Sequence, residues 1–540
     1  MMNNMNQNNG GMQKRMLIMT LVVFVFFIAY EFLVLKPQQE AKQAKITQEQ
    51  VQKANSAPSV EQQNTMANGV TASAENNSKS VDALSSKAVA SKNIIATVKT
   101  KHNIFEIDNL GRIAQVTLQD KQYIDENKEQ IKLFEANQLR PLEVRFADAN
   151  INDEAVKVNV IASKSTVDAK TSAQELVLTQ KLSNTTLTKT LKFYPDGHYD
   201  LQVKTTNAKK FFITNGFRPN VLADMYADHG MYVKQNDGTM ELIEDGDLDK
   251  TKNYTGIKFV SNFDRYYATV IYNFNKSLAI TVMPDNESNP SPFIHGNDNI
   301  SFSGYIGPKE FKTLKSLNPE LTDVIEYGWF TFIAKPMFIF LQYIHNIVGN
   351  WGWTIVIVTI LIKLVLYPLS YKGMVSMNKL KELAPKIKEI QEKYKDDKQK
   401  ASMHMMELYK KHGANPMGGC LPIILQIPVF FAIYRVLLNA IELKGSEWIL
   451  WIHDLAEMDP YFVLPILMGA SMWLQQRITP NTMQDEMQRK IFQMLPVVFT
   501  FFFLWFPAGL TLYWFVNNVF TIAQQYTINK MFEKKRAIKK

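Results

Sequence analysis

The sequence predicts an α-helical multi-pass membrane bundle of six transmembrane helices, joined to a large antiparallel β-sandwich outside the membrane. Three observations predict this fold. Hydrophobic residues make up 46% of the 540 residues, and they collect near the N-terminus and beyond residue 320. Residues 96–320 alternate between apolar and polar, as half-buried strands do. The basic residues behind the net charge of +9 lie beside the apolar segments, where such residues set membrane orientation.

The first element is an N-terminal anchor. Residues 1–15 form a polar tail ending in Lys14 and Arg15, and residues 16–35 form an apolar run broken only by Glu31. A run of this length is enough to cross the hydrocarbon core. No small-x-small cleavage site follows it. We therefore predict an uncleaved transmembrane helix whose N-terminus is in the cytoplasm.

A tether precedes the β-rich part of the chain. Residues 36–95 are rich in Gln, Ala, Asn, Ser and Lys and nearly lack aromatic residues. Such a segment cannot bury enough apolar surface to fold. Residues 96–320 are predicted to form the β-sandwich, with a hairpin turn at the Pro-Asp-Gly of 195–197.

One stretch of the β-sandwich, DMYADHG, brings together Asp224, Asp228 and His229. Carboxylates beside a histidine occur on many β-domain surfaces, so we do not predict a catalytic site here. The chain is not predicted to be an enzyme.

Residues 321–349 are predicted to hold an amphipathic helix that lies in the outer interface of the membrane. Lys335 and Pro336 break its apolar stretch, and Gln342 and His345 add polar positions. A seventh transmembrane span is the alternative. It would place the lysine-rich loop that follows outside the membrane, against the usual excess of positive charge inside.

Residues 350–530 are predicted to form a five-helix core. Its spans are 351–369, 421–441, 461–476, 491–506 and 508–528. With the N-terminus inside, the lysine-rich loop and the basic tail 531–540 are cytoplasmic, while the acidic loop 442–460 is outside, as charge bias requires. Two spans have only about sixteen apolar residues, which rise about 24 Å. Spans this short thin the bilayer around them.

The cytoplasmic loop 372–415 predicts a helical hairpin. Leu380, Leu383, Ile387, Ile390 and Tyr394 are spaced as a heptad seam. Asp396 and Asp397 then end this helix and cap a second one. The lysines of the outer face fit either a solvated surface attracted to anionic lipid or a contact with ribosomal RNA or a targeting factor. The candidate contact residues are Lys379, Lys381, Lys386, Lys388, Lys393 and Lys395.

A polar stripe crosses the apolar span at 351–369. It consists of Thr359, Lys363, Tyr367 and Ser370 at helical spacing. Further polar side chains lie in other spans: Gln426, Ser471, Gln475, Thr511, Tyr513, Trp514, Asn517, Asn518, Thr521, Gln524 and Gln525. The five core spans contain no Asp or Glu, so Lys363 has no carboxylate partner within them. Either Lys363 snorkels to the cytoplasmic interface, or the polar residues line a hydrated groove; their number favours the groove.

The residues of the core resemble the YidC/Oxa/Alb family of membrane protein insertases. The resemblance lies in YPL after the charged span, NPMGGCLPIILQIPVFFAIY, LWIHDL, DPYFVLPILMGASM and MLPVVFTFFFLWFPAGLTLYW. It implies an inner-membrane insertase and chaperone with both termini in the cytoplasm. The anchor and outer β-domain are similar to the Gram-negative form of the family, in which this domain is a periplasmic supersandwich.

The resemblance also implies site residues and partners. A positive residue in the second span faces a groove that binds the client, and this position is Lys363, although arginine is usual in Gram-negative members. The other groove positions are Thr359, Gln426, Tyr513, Trp514 and Asn517. The implied partners are nascent membrane proteins, the SecYEG and SecDF translocon, the ribosome and targeting factors, and the lipid bilayer.

Other functional classes have little support in the sequence. The single cysteine, Cys420, excludes a disulfide framework or a Cys-based metal site. No phosphate-binding loop, HExxH or dinucleotide motif is present, so we expect no cofactor and no metal. A transporter or lipid flippase that uses Lys363 for an anionic substrate is the main alternative. A glycan-binding or hydrolytic domain on an anchor would leave the polar stripes unexplained.

Overall fold

The computed structural model describes residues 93–539 except 126, 208, 222–228, 326, 396, 414–420 and 480–485. The predicted anchor, nearly all of the tether, and Asp224 and Asp228 lie outside the described residues. The chain divides into two compact units. One contains Pro385–His412, and the other contains the residues up to Ala384 and from Gly413 onward.

The β-rich part forms a large β-sandwich, as the alternation of its sequence predicts. Its strands are β1 (Ile94–Lys99), β2 (Asn103–Asp108), β3 (Ile113–Leu118), β4 (Val144–Phe146), β5 (Ile161–Ala162), β6 (Thr166–Asp168), β7 (Gln174–Lys181), β8 (Thr186–Phe193), β9 (His198–Thr205), β10 (Lys210–Thr214), β11 (Gly230–Gln235), β12 (Met240–Glu244), β13 (Lys252–Phe263), β14 (Tyr267–Tyr272), β15 (Leu278–Pro284), β16 (Pro290–Asn297) and β17 (Asn299–Pro308). A short helix, α1 (Ala149–Ala155), follows β4.

The strands form two sheets. The smaller sheet has the order β3-β2-β1-β6, with β6 parallel to β1. The larger sheet has the path β4-β10-β16-β15-β13-β14-β17-β9-β8-β7-β5, and β11 and β12 extend it from β13. The predicted hairpin at 195–197 is confirmed, because β8 and β9 pair antiparallel on either side of it. Leu191 and Phe193 of β8 are fully buried, so alternate residues of this strand face the core.

The helical part begins directly after β17. Its helices are α2 (Phe311–Leu317), α3 (Thr331–Val348), α4 (Trp351–Val365), α5 (Tyr367–Lys393), α6 (Lys398–His412), α7 (Leu421–Asn439), α8 (Val463–Ile478), α9 (Glu486–Phe503) and α10 (Ala508–Lys539). Helix α4 packs against α3 and α10, while α8 packs against α9 and α10. Of the described helices, α4 and α5 together are long and apolar enough to cross a membrane, and no single helix is.

The predicted span at 351–369 is not one straight helix. The chain bends by 64° between α4 and α5, and Leu366 is the residue at the break. Pro368 explains the bend, because a proline has no N–H to continue the ladder of α4 but fits the first turn of α5. Lys363 therefore lies in the last turn of α4, immediately before the bend.

Lys335 and Pro336 interrupt the apolar stretch but not the helix, because α3 runs through both residues. An interior proline costs a helix roughly 3 kcal/mol. Burial on the inner face of α3 offsets this cost, since Phe338 and Leu341 are only 1% and 2% exposed. The Lys335 ammonium lies 2.6 Å from Asp323, which explains a charge at this position without a break.

The unit that contains Pro385–His412 includes the turn between α5 and α6. Asp397 Oδ1 accepts a hydrogen bond from Lys400 N at 3.0 Å, so the predicted cap is confirmed for Asp397, while Asp396 lies outside the described residues. The rings of Tyr394 and His404 stack with 4.7 Å between their centroids. Of the predicted seam, Ile387 is buried and Ile390 is half-buried.

Polar contacts join the β-sandwich to the helices, and join the first helices to the loop after α7. Arg265 Nε, between β13 and β14, donates to Leu438 O near the end of α7 at 2.8 Å. Phe311 N, at the start of α2, donates to Glu442 Oε1 at 3.0 Å. Helix α3 adds a longer contact, from Gln342 Nε2 to the same oxygen at 3.4 Å. The buried carboxyl of Glu442 is therefore contacted by two helices, α2 and α3.

The burial of Glu442 predicts a pH-dependent stability. Burial raises the pKa of Glu442 from 4.5 to about 7. The folded state therefore binds more protons than the unfolded state between these values, and stability present at low pH is lost as the pH rises through 7. Glu442→Gln keeps an acceptor oxygen and carries no charge. We expect it to raise the apparent melting temperature at pH 8 by about 2–4 °C and to change it little at pH 5.

A thermal melt of the full chain in detergent, recorded at both pH values, is the measurement. Glu447→Gln is the matched control, because the side chain of Glu447 is 76% exposed in the same loop. Equal shifts for the two variants at pH 8 would show that burial of Glu442 is not the cause.

Candidate functional site

Lys363 lies among neutral polar groups inside the helical bundle. The side chain is 7% exposed. Its Nζ donates to Thr521 Oγ1 of α10 at 3.0 Å and, more weakly, to Gln426 Oε1 of α7 at 3.4 Å. Lys363 forms no ion pair with any of the described residues. The ammonium is therefore hydrogen-bonded but its charge is not neutralised.

A second layer of hydrogen bonds fixes the partners of Lys363. Gln426 Nε2 donates to Asn517 Oδ1 at 3.0 Å, which orients the amide so that its oxygen faces the ammonium. The Thr521 hydroxyl donates to Asn517 O at 2.7 Å, so its lone pairs remain available to Lys363. Asn517 thus connects both acceptors to a single turn of α10. These hydrogen bonds hold Gln426 Oε1 and Thr521 Oγ1 toward the ammonium of Lys363.

A cavity of about 20 Å³ opens beside this cluster. Its lining includes five of the predicted site residues, namely Thr359, Lys363, Gln426, Tyr513 and Asn517. Ser370, from the predicted stripe, also lines it, whereas Tyr367 does not and is 36% exposed. Both residues belong to α5 and follow the bend at Leu366, so straight-helix spacing from Lys363 does not determine which of them faces the cavity. A space of this size holds about one water molecule.

Trp514 is the predicted site residue that does not line the cavity. Its ring meets Phe430 edge-to-face at 4.6 Å and stacks on Phe499 at 5.7 Å. The ring of Phe503 lies 5.5 Å away. Trp514 therefore closes an aromatic cluster between α7, α9 and α10. Its indole N–H is buried and donates to none of the described residues.

Two further contacts connect α10 to its neighbours. Asn518 Nδ2 donates to Ser471 Oγ of α8 at 3.1 Å. Asn378 Nδ2 of α5 donates to Asn529 Oδ1 of α10 at 3.0 Å. The amide and hydroxyl pattern of the last helix thus serves both the cavity and the packing of the bundle.

Thr521 contacts Lys363 directly, but it is not among the predicted site residues. The sequence places Thr521 on the stripe of α10, but its direct contact with Lys363 depends on how α4 and α10 are aligned. Lys363 and Thr521 are separated by 158 residues along the chain. A stripe on one helix and a stripe on another indicate that two faces are polar, and they do not indicate which residues meet.

The candidate cytoplasmic contact residues differ in exposure. Lys379 is half-buried and donates to Gly413 O at 3.2 Å. The others are exposed, namely Lys381, Lys386, Lys388, Lys393 and Lys395. They offer mobile point charges and no shaped pocket.

The described part of the chain combines an apolar helical bundle with a large β-sandwich. The bundle encloses a cation whose charge no described residue neutralises. Together these features define a membrane protein with an internal polar site. The profile of the family described as "60Kd inner membrane protein" matches residues 343–535, and that of the "YidC periplasmic domain" matches residues 96–340. The chain is 50% identical to the membrane protein insertase YidC of Wolinella succinogenes, over 99% of this chain and 98% of the relative. It is 49% identical to that of Campylobacter jejuni, over 98% of both chains.

Among solved structures, the chain is similar to an active YidC insertase whose first transmembrane domain is resolved, with a TM-score of 0.36 and 17% identity over 83% of this chain and 96% of that one. The high identity over nearly the full length decides the assignment. The chain belongs to the YidC family of membrane protein insertases.

Proposed function

We propose that this chain inserts nascent membrane proteins into the inner membrane, and that Lys363 attracts acidic segments of the client. The observation that supports this most is the set of partners around the ammonium. Thr521 and Gln426 supply oxygen atoms but no negative charge. Neutral groups solvate a cation without cancelling its field. A carboxylate of an incoming chain would be the first full countercharge at this site.

The strength of this attraction depends on its surroundings. Two unit charges 4 Å apart interact by about 1 kcal/mol in water and by about 4 kcal/mol at an effective dielectric constant of 20. A cation that is 7% exposed lies closer to the second case. Attraction of this size draws in an acidic tail and still allows its release. The insertion itself is driven by burial of the client's apolar helix in lipid, at about 25 cal/mol per Å².

The site must widen to admit a client side chain. The cavity of about 20 Å³ holds little more than one water molecule. We infer that the walls formed by α4, α7 and α10 separate when the client binds. Water entering the widened space would make the hydrated groove that the polar stripes predict.

The proposed topology has six spans, with both termini in the cytoplasm and the β-sandwich in the periplasm. Helix α3 would lie in the outer interface, since its exposed residues include Phe332, Tyr343 and Ile347. Helix α8 has 16 residues and α9 has 18. These lengths correspond to about 24–27 Å, against a hydrocarbon core of about 30 Å. A bilayer thinned beside the cavity would lower the barrier for moving a polar segment across.

The partners beyond the client are part of the same proposal. The exposed lysines of α5 suit the phosphate backbone of ribosomal RNA or an acidic targeting factor at the cytoplasmic face. SecYEG and SecDF would assist with larger clients. Small clients would need this chain alone.

Reconstitution tests the function directly. Liposomes that contain only this chain should insert a small client with an acidic N-terminal tail, measured as protease protection of that tail. A transporter or flippase would instead move a labelled anionic solute or lipid without inserting the client. Solute movement in the absence of insertion would overturn the proposal.

We predict that Thr521→Val reduces insertion of the acidic-tailed client about three- to tenfold, because Lys363 loses its shorter hydrogen bond. A typical hydrogen bond contributes a net of about 0.5–1.5 kcal/mol, which corresponds to roughly this range of rates. Thr521→Ser keeps the hydroxyl and should restore most of the activity. The initial rate of insertion in liposomes is the measurement.

Thr527→Val is the matched control for this prediction. Thr527 is an exposed threonine on the same helix, and its hydroxyl donates to Ala523 O at 2.8 Å as Thr521 donates to Asn517 O. Equal rates for Thr521→Val and Thr527→Val would contradict a positioning role for Thr521.

A further inference from the structure

A lysine lies on the inner face of the β-sandwich, far along the chain from the site in the bundle. Lys189 follows the alternation of β8, so it faces the core between Leu187 and Leu191 and is 2% exposed. Its Nζ donates to Leu142 O at 2.7 Å and to Gly111 O at 2.8 Å. Both acceptors are neutral backbone carbonyls. An ammonium group has three N–H donors, and these contacts use two of them.

The charged side chains around Lys189 are buried. Two carboxylates accept from the cluster: Asp108 bonds to Arg112 Nε at 2.8 Å, and Glu143 bonds to Arg112 Nη1 at 2.8 Å and to Arg145 Nε at 2.9 Å. The described members of the cluster are Asp108, Arg112, Arg140, Glu143, Arg145 and Lys189, all less than 10% exposed. Both carboxylates are bonded to arginines, while the described partners of Lys189 Nζ are neutral carbonyls. A buried charge without a charged partner is costly, so a countercharge at Lys189 would stabilise the fold.

One N–H donor of this cluster, on Arg112, indicates where an anion would bind. Arg112 is 1% exposed, and its Nη2 donates to none of the described residues. Its other two nitrogens are both used by carboxylates. A cavity of about 20 Å³ is lined by Arg112, Glu143, Gln180 and Lys189, with apolar side chains completing the wall. Arg112, which carries the unused donor, and Lys189 thus line the same small cavity.

We propose that this cavity binds a small monovalent anion of the size of chloride, held between Arg112 Nη2 and Lys189 Nζ. The volume fits one water-sized particle, which excludes phosphate, sulfate and organic acids. The apolar part of the wall favours a weakly hydrated halide over a strongly hydrated anion. The bound anion would give Lys189 a partner of opposite charge, where its described partners are neutral carbonyls. It would connect β8 to the turn after β2, and so stabilise the β-sandwich.

The affinity should depend on pH. Burial lowers the pKa of Lys189 from 10.5 to about 7, with Asp108 and Glu143 acting to raise it and Arg112 to lower it. The anion binds the protonated lysine, so binding should weaken as the pH rises from 6 to 9. Arg112, Arg140, Arg145, Asp108 and Glu143 are the other charged groups of the same cluster. The proposed change of charge is that of Lys189.

Thermal unfolding of the full chain in detergent tests the proposal. Melting temperatures are compared in sodium chloride and in sodium gluconate at equal ionic strength. A ligand that binds only the folded state raises stability with its concentration. We expect the chloride sample to melt about 3–6 °C higher at pH 6, and the difference to shrink at pH 9. Equal melting temperatures in the two salts at pH 6 would overturn the proposal and indicate that the cavity holds water.

Two variants separate the site from general salt effects. Lys189→Met keeps the length of the side chain without its charge and should lose the chloride dependence. Lys204→Met is the matched control, since Lys204 is an exposed lysine of the adjacent strand β9, and it should keep the dependence.

Bromide keeps the proposal testable if Lys189→Met fails to fold. Crystals of the unmodified chain grown or soaked in sodium bromide should give an anomalous peak beside Arg112 Nη2 and Lys189. The lack of a peak there would contradict the proposal.

Discussion

Replacing Lys363 by glutamate is expected to reduce insertion of an acidic-tailed client at least tenfold, whereas Lys363→Arg should keep it within about threefold of the unmodified chain. The glutamate reverses the sign of an interaction worth about 4 kcal/mol at 4 Å and a dielectric constant of 20. It would also place a carboxylate against Gln426 Oε1 and Thr521 Oγ1, the two oxygens that now face a cation. Arginine keeps the charge but spreads it over a planar group, so its fit to these two oxygens differs.

The client itself supplies the decisive control for Lys363→Glu. A client whose tail carboxylates are replaced by amides should be much less sensitive to the variant, because its tail has no charge to repel. Lys204→Glu makes the same change of charge on the exposed surface of the β-sandwich and should leave insertion unaltered. Both clients are assayed in liposomes by protease protection of the tail. If the unmodified chain and Lys363→Glu insert the acidic-tailed client equally well, Lys363 has no electrostatic role.

The surroundings of Lys363 show what can be predicted from the sequence and what cannot. Helical spacing places Thr359 one turn before Lys363, and both line the cavity. The same rule fails at Tyr367, because it assumes a straight helix and the chain bends by 64° between α4 and α5. In the sequence, Pro368 is the residue that indicates this bend. A contact between two helices, such as that of Lys363 with Thr521, depends on how the helices are aligned. The periodicity of a single helix gives no information on this alignment.

In the β-sandwich, too, pairings between strands close in sequence can be predicted, whereas pairings between distant strands cannot. Alternation and a turn signal predict the pairing of β8 with β9, whose partners are close in sequence. The position of β10 between β4 and β16 is a long-range arrangement with no local signal. Lys189 follows the alternation of β8, yet a lysine ordinarily indicates the solvent face. Its burial is explained only by the cluster around Arg112 and Glu143, which lie on other strands and turns.

The packing of α8 on α9 should be sensitive to a single added side chain at Gly469. A Cβ at Gly469 would collide with Thr500 Oγ1 and lie 3.0 Å from Thr500 Cβ. Thr500 has little freedom to move away, because its hydroxyl donates to Pro496 O at 2.6 Å within α9. Gly469→Val must therefore push the two helices apart. We expect it to reduce the yield of folded, monodisperse chain at least fivefold, measured by size-exclusion chromatography in detergent.

Ala470→Val is the matched control, since Ala470 is the next residue of α8 and is exposed. It adds the same β-branched side chain to the same helix without a facing neighbour, so it should leave the yield almost unchanged. The contrast follows from the physics of helix association in lipid. Hydrocarbon chains solvate an apolar side chain as well as a protein interior does, so close contact at small residues supplies much of the attraction. A valine at 469 removes that contact and gains no hydrophobic burial in return. Equal yields for the two variants would show that α8 and α9 do not depend on close approach at Gly469.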